Sequence, residues 1–191
     1  MLRENRIWMA TGSKHKFEEG RRVLLEFDVH LERMEWEREE IQSDDPAKIA
    51  THSMSGIPDE GFPVLVEDAG LFIEHYDGFP GPYSSYALKT ISLPGILKLM
   101  EGVGSREATF RSVVAFRMRG EIRCFHGVVK GEIAQSIRGT SGFGYDPIFI
   151  PEEGDGRTFG EMSAEEKDSL SHRARAFRSL GEWLSGSEEG F

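Results

Sequence analysis

The segment from Thr11 to Lys16 has the side chains and the position for phosphate chemistry. It follows a short apolar run and precedes a helix-like pattern. A helix N-terminus offers unpaired backbone N–H groups and the positive end of the helix dipole, and both attract phosphate. Gly12 lets the backbone approach a ligand, Thr11 and Ser13 offer hydroxyls, and two lysines offer charge. The Walker A spacing is absent, so the segment predicts either a phosphate-binding turn or only a capped helix.

Two pairs of adjacent acids are candidates for metal binding. Glu67 and Asp68 directly follow the apolar run Val64–Val66, which predicts a buried strand that ends at the acids. Carboxylates at the carboxyl end of a strand suit a magnesium ion or a base that activates water. The alternative is a turn with two solvated acids. Glu39 and Glu40 lie in an acidic stretch, which is more typical of a solvated face.

A glycine-rich segment, Ser141–Asp146, has the pattern expected of a site for a flat ligand. Glycines on both sides of Phe143 allow its ring to lie open for stacking, and Asp146 could accept hydrogen bonds from a base edge. The alternative is an aromatic anchor in a structural turn. Lys167 and the segment 171–173 follow on a helical pattern, where charged side chains usually form an exposed face.

The elements that must position these residues alternate between strands and helices. Short apolar runs and helical stripes predict an α/β protein, and a tight turn at Gly120–Glu121 between two strands predicts a mixed sheet. Thr109–Arg119 alternates and predicts a half-exposed strand. Ser163 and Glu166 form a capping-box pattern. The other predicted elements are a strand at 7–10, a helix at 14–27, a strand at 29–36, a helix from Pro46, a short helix at 94–100 and a helix after Ser171 with a stripe of Ala174, Phe177, Leu180 and Leu184.

Composition limits the classes of function. The 191 residues carry a formal net charge of −10, which disfavours binding to a nucleic acid polymer because such binding depends on neutralising phosphates. A small phosphorylated ligand needs only a few local cations. The single cysteine, Cys124, predicts no intramolecular disulfide and a packing role. We recognise no signal peptide and no spanning apolar stretch, so we expect a cytoplasmic protein with no membrane partner.

Taken together and in order, these segments resemble the inosine triphosphatase family, the non-canonical purine nucleoside triphosphate pyrophosphatases. The resemblance runs from about Ile7 to Leu184 and is strongest to the shorter archaeal members. It implies an α/β fold of two lobes around an elongated mixed β-sheet with a central nucleotide-binding cleft, a homodimer, and one pyrophosphatase domain over residues 1–185, followed by a frayed tail at 186–191. The motifs that carry it are Thr11–Lys16, Glu40–Gln42, Val66–Leu71, Gly78–Ser84, Gly142–Phe149, Thr158–Met162, Glu166–Lys167 and Ser171–Arg173.

The resemblance also implies a role for each matching residue. The positions that match the family's triphosphate loop are Thr11, Gly12, Ser13, Lys14, His15 and Lys16, with Lys16 as the main cation. Glu40 and Asp68 match the ligands of Mg²⁺, and Asp68 also matches the general base. The positions that match other substrate contacts are Ala69, Phe143, Gly144, Tyr145, Asp146, Lys167, His172 and Arg173.

The activity that follows is hydrolysis of ITP, dITP and XTP to the monophosphate and pyrophosphate. Asp68, with help from Glu67, is expected to activate the attacking water, and Arg173 to donate to the 6-oxo group of the base. Ser13 and Ala69 depart from the usual Asn and Ser of the family, and we expect them to alter affinity or rate. Three alternatives stay open at this point: a house-cleaning pyrophosphatase for modified pyrimidine nucleotides, a nucleotide-binding regulator with weakened catalysis, and an acidic interaction protein with no small-molecule site.

Overall fold

The structure is a computed structural model that describes residues 5–36 and 41–186. Its chain divides into two compact units. Unit 1 contains the described residues up to Asp68, the segment Ser112–Gly127 and the chain from Arg173 onward. Unit 2 contains Ala69–Arg111 and Val128–His172. Three long strands pass from one unit into the other along the chain.

Seven strands and five α-helices occur in the described residues. The strands are β1 Arg6–Ala10, β2 His30–Met34, β3 Val64–Ile73, β4 Pro80–Gly81, β5 Glu107–Met118, β6 Glu121–Ile133 and β7 Phe149–Pro151. The helices are α1 Lys14–Leu25, α2 Pro46–Ser55, α3 Ser84–Leu99, α4 Ala164–Leu170 and α5 His172–Gly186. Short 3-10 helices lie at Glu74–Tyr76, Asp146–Ile148 and Phe159–Glu161. No described helix is both long enough and apolar enough to cross a membrane.

The strands form one mixed sheet in the order β2-β1-β3-β5-β6-β7, with β4 paired to β3. Strand β1 runs parallel to both β2 and β3, whereas the β3–β4 and β6–β7 pairs are antiparallel. Arg119 and Gly120 both have positive φ at the turn between β5 and β6, as a tight hairpin turn requires. The predicted α/β class with a mixed sheet is therefore confirmed.

Unit 1 buries apolar side chains on both faces of its sheet. On one face α1 and α5 cover the strands, and the predicted stripe of α5 is buried there together with Val23 and Leu24 of α1. On the other face α2 covers Val64, Val66 and Ala115. This helix begins at Pro46 with Asp45 as its N-cap, as the sequence predicts. Burial on two faces explains the continuous apolar run of β3.

Unit 2 has its own core. Its centre is a cluster of three phenylalanines, Phe110, Phe149 and Phe159, whose ring centroids lie 4.6 to 6.3 Å apart. Residues of β3, β5, β6 and α3 complete the cluster. The capping box predicted at Ser163 and Glu166 is confirmed by both of its hydrogen bonds, at 2.7 and 3.2 Å. It fixes the start of α4, which carries Lys167.

Three predictions about elements are wrong. Strand β3 does not end before the acids but continues to Ile73. Strand β5 is buried on both faces over most of its length, because it lies between β3 and β6 and is covered by helices on both sides of unit 1. Helix α3 begins ten residues before Pro94, at Ser84, and is kinked at Ser92. Of the tail expected at 186–191, Gly186 is the last residue of α5, and 187–191 lie outside the described residues.

Candidate active site

The turn between β1 and α1 is held by its own hydroxyl groups. The backbone N–H of Ser13 donates to Thr11 Oγ1 over 3.1 Å, and the N–H of Lys16 donates to Ser13 Oγ over 3.3 Å. Ser13 is therefore the N-cap of α1, which both interpretations of this segment require. Gly12, Lys14 and His15 are exposed at the same helix end. Phosphate binding by this turn stays a prediction.

A buried carboxylate lies next to this turn. Glu67 Oε1 accepts from Ser112 Oγ at 2.7 Å and from Arg173 Nε at 3.0 Å, and Lys16 Nζ lies 2.9 Å from Oε2. Arg173 Nη1 also donates to Glu19 Oε2 at 2.5 Å. We call Lys16, Glu19, Glu67 and Arg173 the buried charge cluster. It has two positive and two negative members, so its formal charge is zero.

Glu67 is ionised across the physiological pH range. Its complete burial alone would raise the pKa of the carboxyl. The charges of Arg173 and Lys16 and the hydrogen bond from Ser112 outweigh burial and hold the pKa of Glu67 far below its ordinary value. A carboxylate with so low a pKa is a poor proton acceptor near neutral pH. We therefore replace the expectation that Glu67 helps to activate water with a role as a fixed anion.

Glu67 and Asp68 do not share one face of the sheet. Successive side chains of a strand point to opposite faces. Leu65 packs with the core under α1 and α5, whereas Val64 and Val66 pack with the core under α2. Glu67 follows the first set, as its contacts with α1 and α5 require, so Asp68 follows the second. The two carboxylates therefore cannot coordinate the same cation. Asp68 itself is 8% exposed.

The second predicted metal ligand, Glu40, lies outside the described residues. Within residues 5–36 and 41–186, no group of three or more His, Cys, Asp or Glu side chains is arranged to hold a metal ion. Mg²⁺ can bind through one or two carboxylates together with substrate phosphates and water, so such a group is not required.

Two residues that matter here escaped prediction, Ser112 and Glu19, although both left a signal. Ser112 interrupts the apolar face that Phe110, Val114 and Phe116 define on β5. Glu19 lies one helical turn from Lys16, on the buried side of α1. A polar residue on an apolar face indicates a partner. Glu67 itself was predicted as a candidate, but its partners were not, because they are up to 106 positions away in sequence.

In unit 2, Asp146 organises the glycine-rich segment. Its Oδ2 accepts from the backbone N–H of Phe143 at 2.8 Å and from Lys167 Nζ at 2.6 Å. The side chains of Asp146 and Lys167 are both at least 95% buried. Lys167 Nζ lies 4.9 Å from the centroid of Phe143, within the range of a cation–π contact. Oδ2 of Asp146 thus serves its own loop and also holds the ammonium group of Lys167, from α4, beside the ring of Phe143.

Two further residues support this loop. Gly142 has φ +72, and a Cβ atom at this position would collide with Oδ2 of Asp146. Tyr145, predicted to contact substrate, is 4% exposed, and its hydroxyl donates to the carbonyl of Ser84 over 2.7 Å. Burial raises the pKa of the Tyr145 phenol, so the hydroxyl stays protonated as a donor. Tyr145 therefore holds the loop against α3.

His172 and Ala69 are the remaining predicted site residues in the described chain. The ring of His172 is buried and stacks on Phe110 in unit 2, with centroids 4.4 Å apart and an angle of 7° between the planes. Ala69 is half-buried in the same unit. Of the predicted site residues, unit 1 contains Thr11–Lys16, Asp68 and Arg173, and unit 2 contains Ala69, Phe143–Asp146, Lys167 and His172.

The sequence model of the Ham1 family matches residues 7–183. This chain belongs to the Ham1 family. The match spans almost all described elements and confirms the family expected from the sequence motifs.

Curated relatives and solved structures agree with this assignment. A dITP/XTP pyrophosphatase of Pyrobaculum aerophilum is 45% identical over 181 residues, covering 94% of this chain and 96% of the relative. One from Methanopyrus kandleri is 43% identical over 187 residues, covering 97% and 99%. The Ham1 protein of Staphylococcus aureus has the same fold, with a TM-score of 0.81 and 28% identity over 95% of this chain and 98% of that chain.

Proposed function

We propose that this chain hydrolyses dITP, ITP and XTP to the nucleoside monophosphate and pyrophosphate, and so removes them from the nucleotide pool. The observation that carries the proposal is the near-complete alignment with relatives named dITP/XTP pyrophosphatase, at 45% identity over 181 residues for the one from Pyrobaculum aerophilum. One family model covers residues from both units. This coverage supports the expectation that residues 1–185 act as a single pyrophosphatase domain.

In this proposal the N-terminal turn of α1 binds the triphosphate. The turn brings exposed Gly12, Lys14 and His15 together with the backbone N–H groups and dipole of a helix start. The side chain of Lys16 is 18% exposed, whereas that of Glu67 is completely buried. Lys16 is therefore the member of this ion pair that a phosphate can reach. It would hold the pyrophosphate as the leaving group takes on negative charge.

Asp68 is proposed as the residue that orients the attacking water and accepts its proton. Its carboxylate, with that of Glu40, would also hold Mg²⁺, and hard oxygen donors of this kind fit that ion. When bound, Mg²⁺ supplies positive charge against the phosphate oxygens. Glu67 does not belong to this donor set, because three groups already engage its oxygens.

Selectivity for 6-oxo purines is assigned to unit 2. Lys167, beside the ring of Phe143, presents a donor next to a stacking surface. Adenine has an amino group where these bases have the oxo group, and a buried donor left without a partner disfavours the wrong base strongly. Arg173 has Nε and Nη1 engaged by two carboxylates. The ammonium group of Lys167 carries three N–H donors and gives one to Asp146, so we propose Lys167, in place of Arg173, as the donor to the 6-oxo group.

The test is a substrate panel assayed for pyrophosphate release with and without Mg²⁺. We expect rapid release from dITP, ITP and XTP, slow release from GTP and ATP, and no reaction without the metal. Asp68→Asn should abolish release, whereas Asp77→Asn is the matched control. Asp77 is exposed and has φ +49, a conformation that asparagine tolerates.

Each alternative predicts a different outcome of the same panel. A preference for dUTP and other pyrimidine nucleotides would favour the pyrimidine house-cleaning activity. Stabilisation by nucleotide without any turnover would favour a regulator. A ligand present at a hundred times its dissociation constant should raise the unfolding free energy by about 2.7 kcal/mol. If no nucleotide stabilises the protein and none is turned over, nucleotide recognition is refuted altogether.

A homodimer and a cytoplasmic location also belong to the proposal. Three aromatic side chains around the start of α3 in unit 2 support the dimer, since Phe79, Tyr83 and Tyr86 are 43%, 41% and 71% exposed. Sedimentation velocity tests the dimer, and Tyr86→Glu should shift the chain to monomers if this surface is the interface. The nucleotide-binding cleft between two lobes stays a prediction.

A further inference from the structure

Ser112 lies behind the proposed triphosphate site and is linked to it through Glu67. It is 1% exposed and belongs to β5, the neighbour of β3 in the sheet. Its hydroxyl donates to Glu67 Oε1 at 2.7 Å. Ser112 interrupts the apolar face that Val114 and Phe116 continue under α1 and α5. A buried hydroxyl on such a face needs a partner, and this one has a carboxylate.

The arrangement of donors around Glu67 fixes the direction of both its oxygens. Oε1 accepts from Ser112 on the sheet and from Arg173 on α5, so two donors from different elements prevent the carboxylate from rotating. The other oxygen, Oε2, then has one defined position, and Lys16 Nζ lies 2.9 Å from it. The long side chain of Lys16 would otherwise have many rotamers.

We infer that Ser112 is a positioning residue for phosphate binding, which acts by orienting Glu67 and, through it, the ammonium group of Lys16. This inference rests on the proposed function, because it takes Lys16 to be the group that contacts the triphosphate. Ser112 is neutral, so its removal leaves the zero formal charge of the buried charge cluster intact. A Ser112 variant therefore tests orientation alone, which a variant of Glu67 or Arg173 cannot do.

The first experiment compares Ser112→Ala with the wild type in the hydrolysis of dITP. Because misplacing a binding group by about 1 Å can cost about a hundredfold in rate, kcat/KM should fall by roughly tenfold to a hundredfold. Ser112→Thr keeps the hydroxyl and should restore most of the activity. The matched control is Thr109→Val, which removes a buried hydroxyl of the same strand whose partner is Glu74. We expect this control to change kcat/KM by less than about twofold.

A double-mutant cycle separates positioning from a general loss of structure. If Ser112 acts through Lys16, Ser112→Ala should have little further effect on kcat/KM in a Lys16→Gln background. If Ser112 only stabilises the fold, its removal should lower activity by the same factor in both backgrounds. Equal factors in the two backgrounds would overturn the inference.

Binding of inorganic tripolyphosphate gives a readout that does not depend on turnover. Calorimetry should show weaker binding to Ser112→Ala than to the wild type and unchanged binding to Thr109→Val. Equal affinities of Ser112→Ala and the wild type would contradict the role of Ser112 even if dITP is hydrolysed. Failure of the wild type to hydrolyse any nucleotide while it still binds tripolyphosphate would refute the proposed function alone.

Discussion

Glu67→Gln should reduce by one the number of protons that this protein takes up when it unfolds in acid. The carboxyl of Glu67 has an ordinary pKa of 4.5 in the unfolded chain and a far lower pKa in the folded protein, because Arg173 and Lys16 stabilise its charge. As the pH falls below 4.5, the unfolded state gains a proton at this residue and the folded state does not. The stabilisation by Glu67 is therefore complete above that pH and is lost as the pH falls.

The size of this effect follows from proton linkage. One proton taken up only by the unfolded state lowers the unfolding free energy by about 1.4 kcal/mol per pH unit. Near the ordinary pKa the unfolded state is only partly protonated at Glu67. The unfolding free energy that Glu67 contributes therefore falls by about 1.2 kcal/mol between pH 4 and pH 3. Glutamine cannot titrate, so Glu67→Gln should lose that much less stability over this interval. At neutral pH the variant should be less stable by about 3–5 kcal/mol, because it removes the buried anion that pairs with Arg173 and Lys16.

Urea unfolding of the wild type and Glu67→Gln at pH 3, 4 and 6 measures both quantities. Glu121→Gln is the control, since the side chain of Glu121 is 76% exposed and should give an acid slope close to that of the wild type. Equal losses of stability between pH 4 and pH 3 for the wild type and Glu67→Gln would refute the assignment of Glu67 as a fixed buried anion.

Four further changes test other parts of the structure. Arg117→Met should lower the unfolding free energy in urea by about 2–4 kcal/mol, because the guanidinium donates to three backbone carbonyls at and just beyond the end of α2. Gly142→Ala should raise the KM for dITP, since its methyl group displaces the carboxylate of Asp146, and an unchanged KM would contradict that reason. Ser163→Ala should destabilise the protein by about 1 kcal/mol in thermal unfolding through loss of the capping box that begins α4. Arg173→Lys should lower kcat/KM for dITP and dATP by similar factors, and a selective gain for dATP would instead indicate that Arg173 contacts the base.

Local chemistry was sufficient to predict most elements of this fold. The N-cap of α2, the capping box of α4 and the tight turn between β5 and β6 depend on residues within a few positions of each other, so their sequence patterns predict them directly. The stripe of α5 is equally local, because helical spacing alone brings its apolar residues to one face. The exposure of β5 is not local. It depends on which strands and helices cover it, and the prediction failed there.

The two acids of β3 have roles that the sequence alone does not determine. Their types and the preceding apolar run indicate a functional carboxylate at the end of a strand, and the family motifs predict a magnesium-dependent pyrophosphatase. Only the tertiary structure separates their roles. The strand continues through both acids, so their side chains face opposite sides of the sheet. Glu67 then meets Arg173, 106 positions away, and Arg173 meets Glu19, 154 positions away. Packing of distant segments sets these contacts and makes Glu67 a fixed anion, while Asp68 stays the proposed base.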